Sequence, residues 1–187
     1  GAKRLDLRNS VLPTHRGETI VIRFLDPSAP RPRFADLWMS PDTCEALSRI
    51  LEKPQGMLLV TGPTGSGKTT TLYAALHQLR SPGVNITTVE DPVEYMLEGA
   101  NQVQVNMKAG LTFAKSLRSI LRQDPNIIMV GEIRDGETAE IALKSAQTGH
   151  FVLTTVHTND SIAAIARLID LQVPSFLIGA SVTAVIS

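Results

Sequence analysis

The stretch Met57-Leu58-Leu59-Val60-Thr61-Gly62-Pro63-Thr64-Gly65-Ser66-Gly67-Lys68-Thr69-Thr70 decides how this chain is read. An apolar run leads into G-P-T-G-S-G-K-T, which fills the template G-x-x-x-x-G-K-[ST]. Leu72, Ala75, Leu76 and Leu79 follow at helical spacing. Strand, glycine-rich loop and helix are the setting a phosphate-binding loop needs. Glycines let the backbone curl so that successive N–H groups face phosphate oxygens. The helix N-terminus adds partial positive charge. Lys68 is placed to reach the terminal phosphates, and Thr69 to offer its hydroxyl to Mg2+. The loop residues Gly62, Pro63, Thr64, Gly65, Ser66, Gly67, Lys68, Thr69 and Thr70 are the expected nucleotide contacts, with ATP and Mg2+ as ligands.

Working outward, short apolar strands alternate with helices. Strands are expected at 57–61, 85–89, 127–130 and 151–156, and helices at 67–80, 112–122, 136–148 and 160–171. Ser40-Pro41 opens an earlier helix with a cap and a first-turn proline, and Cys44 lies on its apolar stripe with Leu47 and Leu51. Asp135 is the expected cap of the third of the four helices, and Gly149 stops it. This alternation predicts an α/β fold with a mostly parallel sheet covered by helices. A small hairpin is expected at 95–107, and the chain closes on an apolar helical pattern.

Ahead of this domain, residues 5–25 alternate as two strands around Gly17. Residues 27–32 then hold three prolines, a stiff linker. The resulting division is 1–25, 26–36 and 37–187. The first part is too short for a domain, and the unstopped apolar end reads as cut from a longer chain.

The 187 residues carry 18 basic and 18 acidic side chains. No bulk positive charge is available for nucleic acid, and no apolar run approaches the ~20 residues of a membrane span. One cysteine and four dispersed histidines exclude a multi-cysteine zinc site and offer no metal-ligand spacing.

Ligands in parallel sheets sit beyond the carboxyl ends of the strands. Three further strand ends deliver chemistry there: Glu90-Asp91-Pro92-Val93-Glu94, then Gly131-Glu132, then His157-Thr158-Asn159-Asp160. Hydrolysis needs one carboxylate for the magnesium shell and one to orient and polarise water. Glu132, ending the strand expected to neighbour the phosphate loop, is assigned to the metal with Thr69. Glu90 is assigned to the water, although the two roles could be exchanged. Gly131 stands where the commonest version of this pattern has aspartate. Asp91 and Glu94 suit turn capping as well as catalysis. His157 is placed to sense the terminal phosphate, whereas His150, at the other end of the same strand, suits a structural or subunit contact. Arg8, Arg23 and Arg134 are candidate partners for the transferred phosphoryl group, although spacing alone favours surface ion pairs.

The segments V-T-G-P-T-G-S-G-K-T-T-T-L-Y, V-E-D-P-V-E-Y, L-R-Q-D-P-N-I-I-M-V-G-E-I-R-D-G-E-T-A-E-I-A and G-H-F-V-L-T-T-V-H-T-N-D resemble, in order, the Walker A, Asp box, Walker B and His box of the secretion ATPases of type II secretion and type IV pilus systems. The resemblance implies a RecA-like P-loop NTPase core. It implies a homo-hexameric ring with ATP at subunit interfaces, and an inner-membrane platform protein as partner. A cytoplasmic location follows, peripheral to that membrane through partners. The opening D-L-R-N-S-V-L-P-T-H-R-G-E-T-I-V-I-R resembles the last strands of the family's PAS-like N-terminal domain, whose arginines reach the nucleotide; Arg8 and Arg23 match them. L-R-Q-D-P, G-E-I-R-D-G-E-T-A-E and H-T-N-D are nearer to the assembly branch than to the retraction branch. The family's tetracysteine module has no counterpart here. The expected function is an ATP hydrolase motor for pilus or pseudopilus assembly or type II secretion. The rivals are a retraction motor, a nucleic-acid-dependent ATPase and a non-hydrolysing switch.

Overall fold

The computed structural model describes residues 6–25, 32–37 and 39–187, with only the backbone of Asp6, Arg8 and Leu25. Strands β1 (Asp6–Thr14) and β2 (Gly17–Leu25) form an antiparallel hairpin, a separate two-stranded sheet. Arg8 is paired in register with Arg23. The side chains of Leu12, Ile20 and Phe24 are exposed. Residues 26–31 of the expected linker lie outside the described residues. Phe34, within the same stretch, is buried beside Leu47 and Leu72.

The main body comprises α1 (Pro41–Leu51), β3 (Gly56–Thr61), α2 (Lys68–Leu79), β4 (Ile86–Glu90), β5 (Ala100–Gln104), α3 (Phe113–Ile120), β6 (Ile127–Val130), α4 (Gly136–Gln147), β7 (Phe151–Val156), α5 (Ser161–Asp170), α6 (Ser175–Ser181) and β8 (Val182–Ile186). Its six strands run β5-β4-β6-β7-β3-β8, and every pairing is parallel.

Continuous apolar strands follow from burial on both faces. Along β3, Met57 and Leu59 face one core while Leu58 and Val60 face the other. Ile128 and Val130 against Ile127 and Met129 do the same on β6. The first core is completed by α3, α4, α5 and α6, the second by α1 and α2. Cys44 is half-buried against the second core, as its stripe predicts.

Caps set the helix starts. Ser40 Oγ accepts from Thr43 N at 3.2 Å, and Asp135 Oδ1 from Thr138 N at 2.8 Å. Thr112 and Asp160 cap α3 and α5 in the same way.

Three expectations are corrected. Residues 95–107 do not form a hairpin: residues 100–104 are the edge strand β5, parallel to β4. The end of the chain is not one helix, because β-branched Val182, Thr183, Val185 and Ile186 extend along β3 as β8. The Walker B strand β6 does not neighbour β3, since β7 lies between them.

Candidate nucleotide and catalytic site

Because every strand of the main sheet is parallel, its carboxyl ends share one edge. Val89, Val130, Thr154 and Leu59 stand at one level across β4, β6, β7 and β3. The residues just beyond that level converge on a cavity of about 370 Å³. Thr64, Gly65, Gly67, Lys68, Thr69 and Thr70 line it from the loop. Glu90, Glu94, Glu132, Thr155 and His157 line it from the other strand ends.

The loop is shaped by its glycines. Gly62 has φ +142°, and a Cβ there would lie 2.5 Å from Ser66 Oγ. Gly67 caps α2 in the left-handed conformation, and no side chain accepts from the first turn. The leading amides of α2 are therefore left for an external acceptor, unlike those of α1, α3, α4 and α5. Lys68 Nζ donates to Gly62 O and Pro63 O, each at 2.8 Å, holding its ammonium over the loop. Partial burial lowers the Lys68 pKa, while the charge of Glu132 acts to raise it. Gly62 and Pro63 thus serve the lysine through their carbonyls. Ser66 closes the turn, its N–H donating to Pro63 O at 3.3 Å.

Glu132 sits at the centre of a polar cluster. Arg134 Nη2 donates to its Oε1 at 2.6 Å, and His157 Nε2 lies 3.3 Å from its Oε2. Burial pushes the Glu132 carboxyl up, but Arg134 and His157 outweigh it and hold it below the usual carboxylate range. Arg134 Nη1 also reaches Asp91 Oδ2 at 3.4 Å, which gives Asp91 an ion-pair partner. The His157 loop is tied to β3 through Thr61, whose hydroxyl donates to Thr158 O at 2.7 Å.

Glu90 is the last residue of β4 and is only 3% exposed. Tyr73 Oη donates to its Oε2 at 2.6 Å. Thr88 Oγ1 and Gln102 Nε2 donate to its Oε1 at 2.6 and 3.2 Å. Burial pushes the Glu90 carboxyl up despite these donors, and the Tyr73 phenol, buried beside it, is pushed up as well.

This yields a stability prediction. With its pKa raised in the fold, Glu90 destabilises the native state once pH rises above the unfolded value. The penalty grows up to the folded pKa. Glu90→Gln is therefore expected to melt at a higher temperature than wild type at pH 8. The difference should vanish as pH falls through the ordinary glutamate range, near 4.5. Melting curves across that range check this.

Not every candidate joins the cavity. Arg23 is exposed on β2 and absent from the described lining, and the side chain of Arg8 lies outside the described residues. His150 Nδ1 lies 3.1 Å from Ser145 O, a local contact at the far end of β7. Sequence reasoning missed Tyr73, Gln102 and Thr155. Thr155 Oγ1 donates to Gly131 O at 2.7 Å and so fixes the turn that presents Glu132. Tyr73 and Thr155 stand inside the Walker A and His box segments, but the spacing of those motifs gives neither a role, and Gln102 belongs to no motif.

Thr69 and Glu132 are hard oxygen donors that line the same cavity, and its neighbours hold the Glu132 carboxyl below the usual carboxylate range. They fit Mg2+, which takes one or two protein oxygens alongside phosphates and water. Among the described residues no group of three or more His, Cys, Asp or Glu side chains could hold a metal.

The model of the family described as "Type II/IV secretion system protein" matches residues 1–187. This chain belongs to that family. Among relatives of the secretion family, it is 54% identical over 183 residues to the type II secretion system protein HxcR of Pseudomonas aeruginosa, covering 98% of this chain and 39% of that protein. It is 55% identical over 186 residues to the type IV pilus assembly ATPase PilB of Acinetobacter baylyi, covering 100% and 32%. The chain thus spans less than two fifths of the length of either relative. The crystal structure of the pilus retraction motor PilT with bound ADP superposes with TM-score 0.81 at 34% identity, over 96% of this chain and 53% of that one. The Legionella pneumophila ATPase DotB gives 0.73 at 28%, over 95% and 49%. The expected fold class and family are those found.

Proposed function

We propose that this chain is the core of a Mg2+-dependent ATP hydrolase that powers pilus or pseudopilus assembly or type II secretion. The observation that carries the reading is the convergence of Lys68, Thr69, Glu90, Glu132 and His157 on one cavity. The two carboxylates are pushed in opposite directions by their surroundings, Glu132 down and Glu90 up. Such divergence separates a charge-holding role from a proton-handling one.

The loop amides and Lys68 bind the β- and γ-phosphates. Thr69 and Glu132 hold Mg2+, which when bound neutralises developing phosphate charge. Glu90 accepts a proton from the attacking water. His157, braced by Glu132, reads the terminal phosphate. Arg8 and Arg23 supply positive charge from the hairpin, a role supported by the family resemblance rather than by the cavity lining.

The whole protein works as a homo-hexamer on an inner-membrane platform protein, at the cytoplasmic face and attached through partners. Among the described residues no helix is long and apolar enough to cross a membrane. The identity to a named assembly ATPase, 55%, exceeds that to the retraction motor, 34%, and favours assembly. Balanced charge disfavours a nucleic-acid motor.

Phosphate release from ATP by the whole protein tests this. We expect turnover with Mg2+, loss of turnover with excess chelator, and no stimulation by DNA. ATP binding without any phosphate release would overturn the hydrolase in favour of a nucleotide switch.

A further inference from the structure

A carboxylate offers about four lone-pair positions, two on each oxygen. At Glu90 three are taken. Thr88 and Gln102 both donate to Oε1, and Tyr73 donates to Oε2. One position remains, on Oε2, and Glu90 lines the nucleotide cavity. Tyr73 is itself held on several sides. Its hydroxyl lies 3.1 Å from Tyr95 O and 3.2 Å from Gln102 Nε2, which also donates to Tyr95 O at 2.9 Å. Its ring meets that of Tyr95 edge-on, with centroids 5.3 Å apart. Its position on α2 is one turn beyond Lys68 and Thr69.

We propose that Tyr73 is a positioning residue for hydrolysis: it occupies one acceptor site of Glu90 Oε2 and thereby aims the single remaining one at the attacking water. This rests on the reading of Glu90 as the group that takes the water's proton. The Tyr73–Glu90 bond also joins the helix that carries the phosphate contacts to the carboxylate on β4. A shift of α2 is therefore felt at the base without passing through the sheet.

The donors that surround Glu90 favour its ionised form against burial. The titratable groups facing it are Tyr73 from α2 and Glu94 from the loop after β4. On β5 it meets Gln102, and after β6 it meets the backbone of Gly131. Loss of the Tyr73 donor therefore makes Glu90 harder to ionise.

The test is ATP turnover by the whole protein, measured across pH for Tyr73→Phe, Thr88→Val and Glu90→Gln. Tyr73→Phe is expected to lower kcat about tenfold at neutral pH, with KM for ATP within about twofold. Its acid limb should move to higher pH, so the deficit grows as pH falls. Thr88→Val, which strips a donor from Oε1, should move the acid limb in the same direction. It serves as the second arm if Tyr73→Phe folds poorly. Wild-type kcat and acid limb in Tyr73→Phe, with Glu90→Gln inactive, would overturn the positioning role and leave the base assignment standing. Full activity in Glu90→Gln would overturn both.

Discussion

Lys68→Ala is expected to lower ATP turnover by about a thousandfold or more. Lys68 is the one lysine or arginine among the described residues lining the cavity. Its ammonium is already aimed by two carbonyl contacts at 2.8 Å, so little reorganisation is needed when phosphate oxygens approach. Phosphoryl transfer leaves the protein mainly positioning and charge stabilisation to contribute, and alanine removes both at the most negative part of the substrate. Lys68→Arg should not rescue it, because a planar guanidinium cannot reproduce a point charge held between Gly62 O and Pro63 O. Phosphate release, together with titration of a fluorescent ATP analogue, separates lost binding from lost chemistry. Turnover within about tenfold of wild type would remove Lys68 from the mechanism.

Glu132→Gln is expected to cost about a hundredfold to a thousandfold in kcat. The amide keeps the size but not the charge that suits a cation. It also gives Arg134 a poorer acceptor than the carboxylate it holds at 2.6 Å. The stability effect should run opposite to that of Glu90→Gln. A carboxyl whose pKa is lowered in the fold contributes stability that is present above its unfolded value, and that contribution disappears as pH falls through the folded one. Glu132→Gln should therefore melt below wild type at neutral pH and converge with it in strong acid. Melting curves of the two variants that diverge in opposite directions at pH 8 would support this picture. Parallel curves would show that the environments of the two carboxylates do not differ.

Much of this could be read from the residues. Apolar runs at β3, β6 and β7 have no polar phase because both of their faces are covered, and helices flank every run. Side-chain caps at Ser40 and Asp135 obey local rules that need no tertiary context. The interior of the sheet order was not legible. Nothing local distinguishes β7 from β6 as the neighbour of β3, since both are fully buried and parallel. Residues 100–104 also defeated local reading: A-N-Q-V-Q alternates as a hairpin arm would, yet it pairs in parallel at an open edge. At the site, motif spacing found the residues whose chemistry is unusual. It did not single out Tyr73, Gln102 or Thr155, whose contribution is a hydrogen bond to a residue 12 to 24 positions away in sequence.

The order of the strands has a mechanical consequence. Between β3, which bears the phosphate loop, and β4, which bears Glu90, stand β7 and β6. Three interstrand steps of about 4.8 Å set those two tips roughly 14 Å apart. Met129, which lines the cavity, and Leu153, its register partner on β7, are buried in the second core between those two strands. On the proposed function, a triphosphate seated in the cavity would brace distant ribs, and any change in the coil of the sheet would alter how well it fits. Truncating Leu153 is thus expected to splay that frame and loosen the fit of a ligand, with every side chain that lines the cavity still in place.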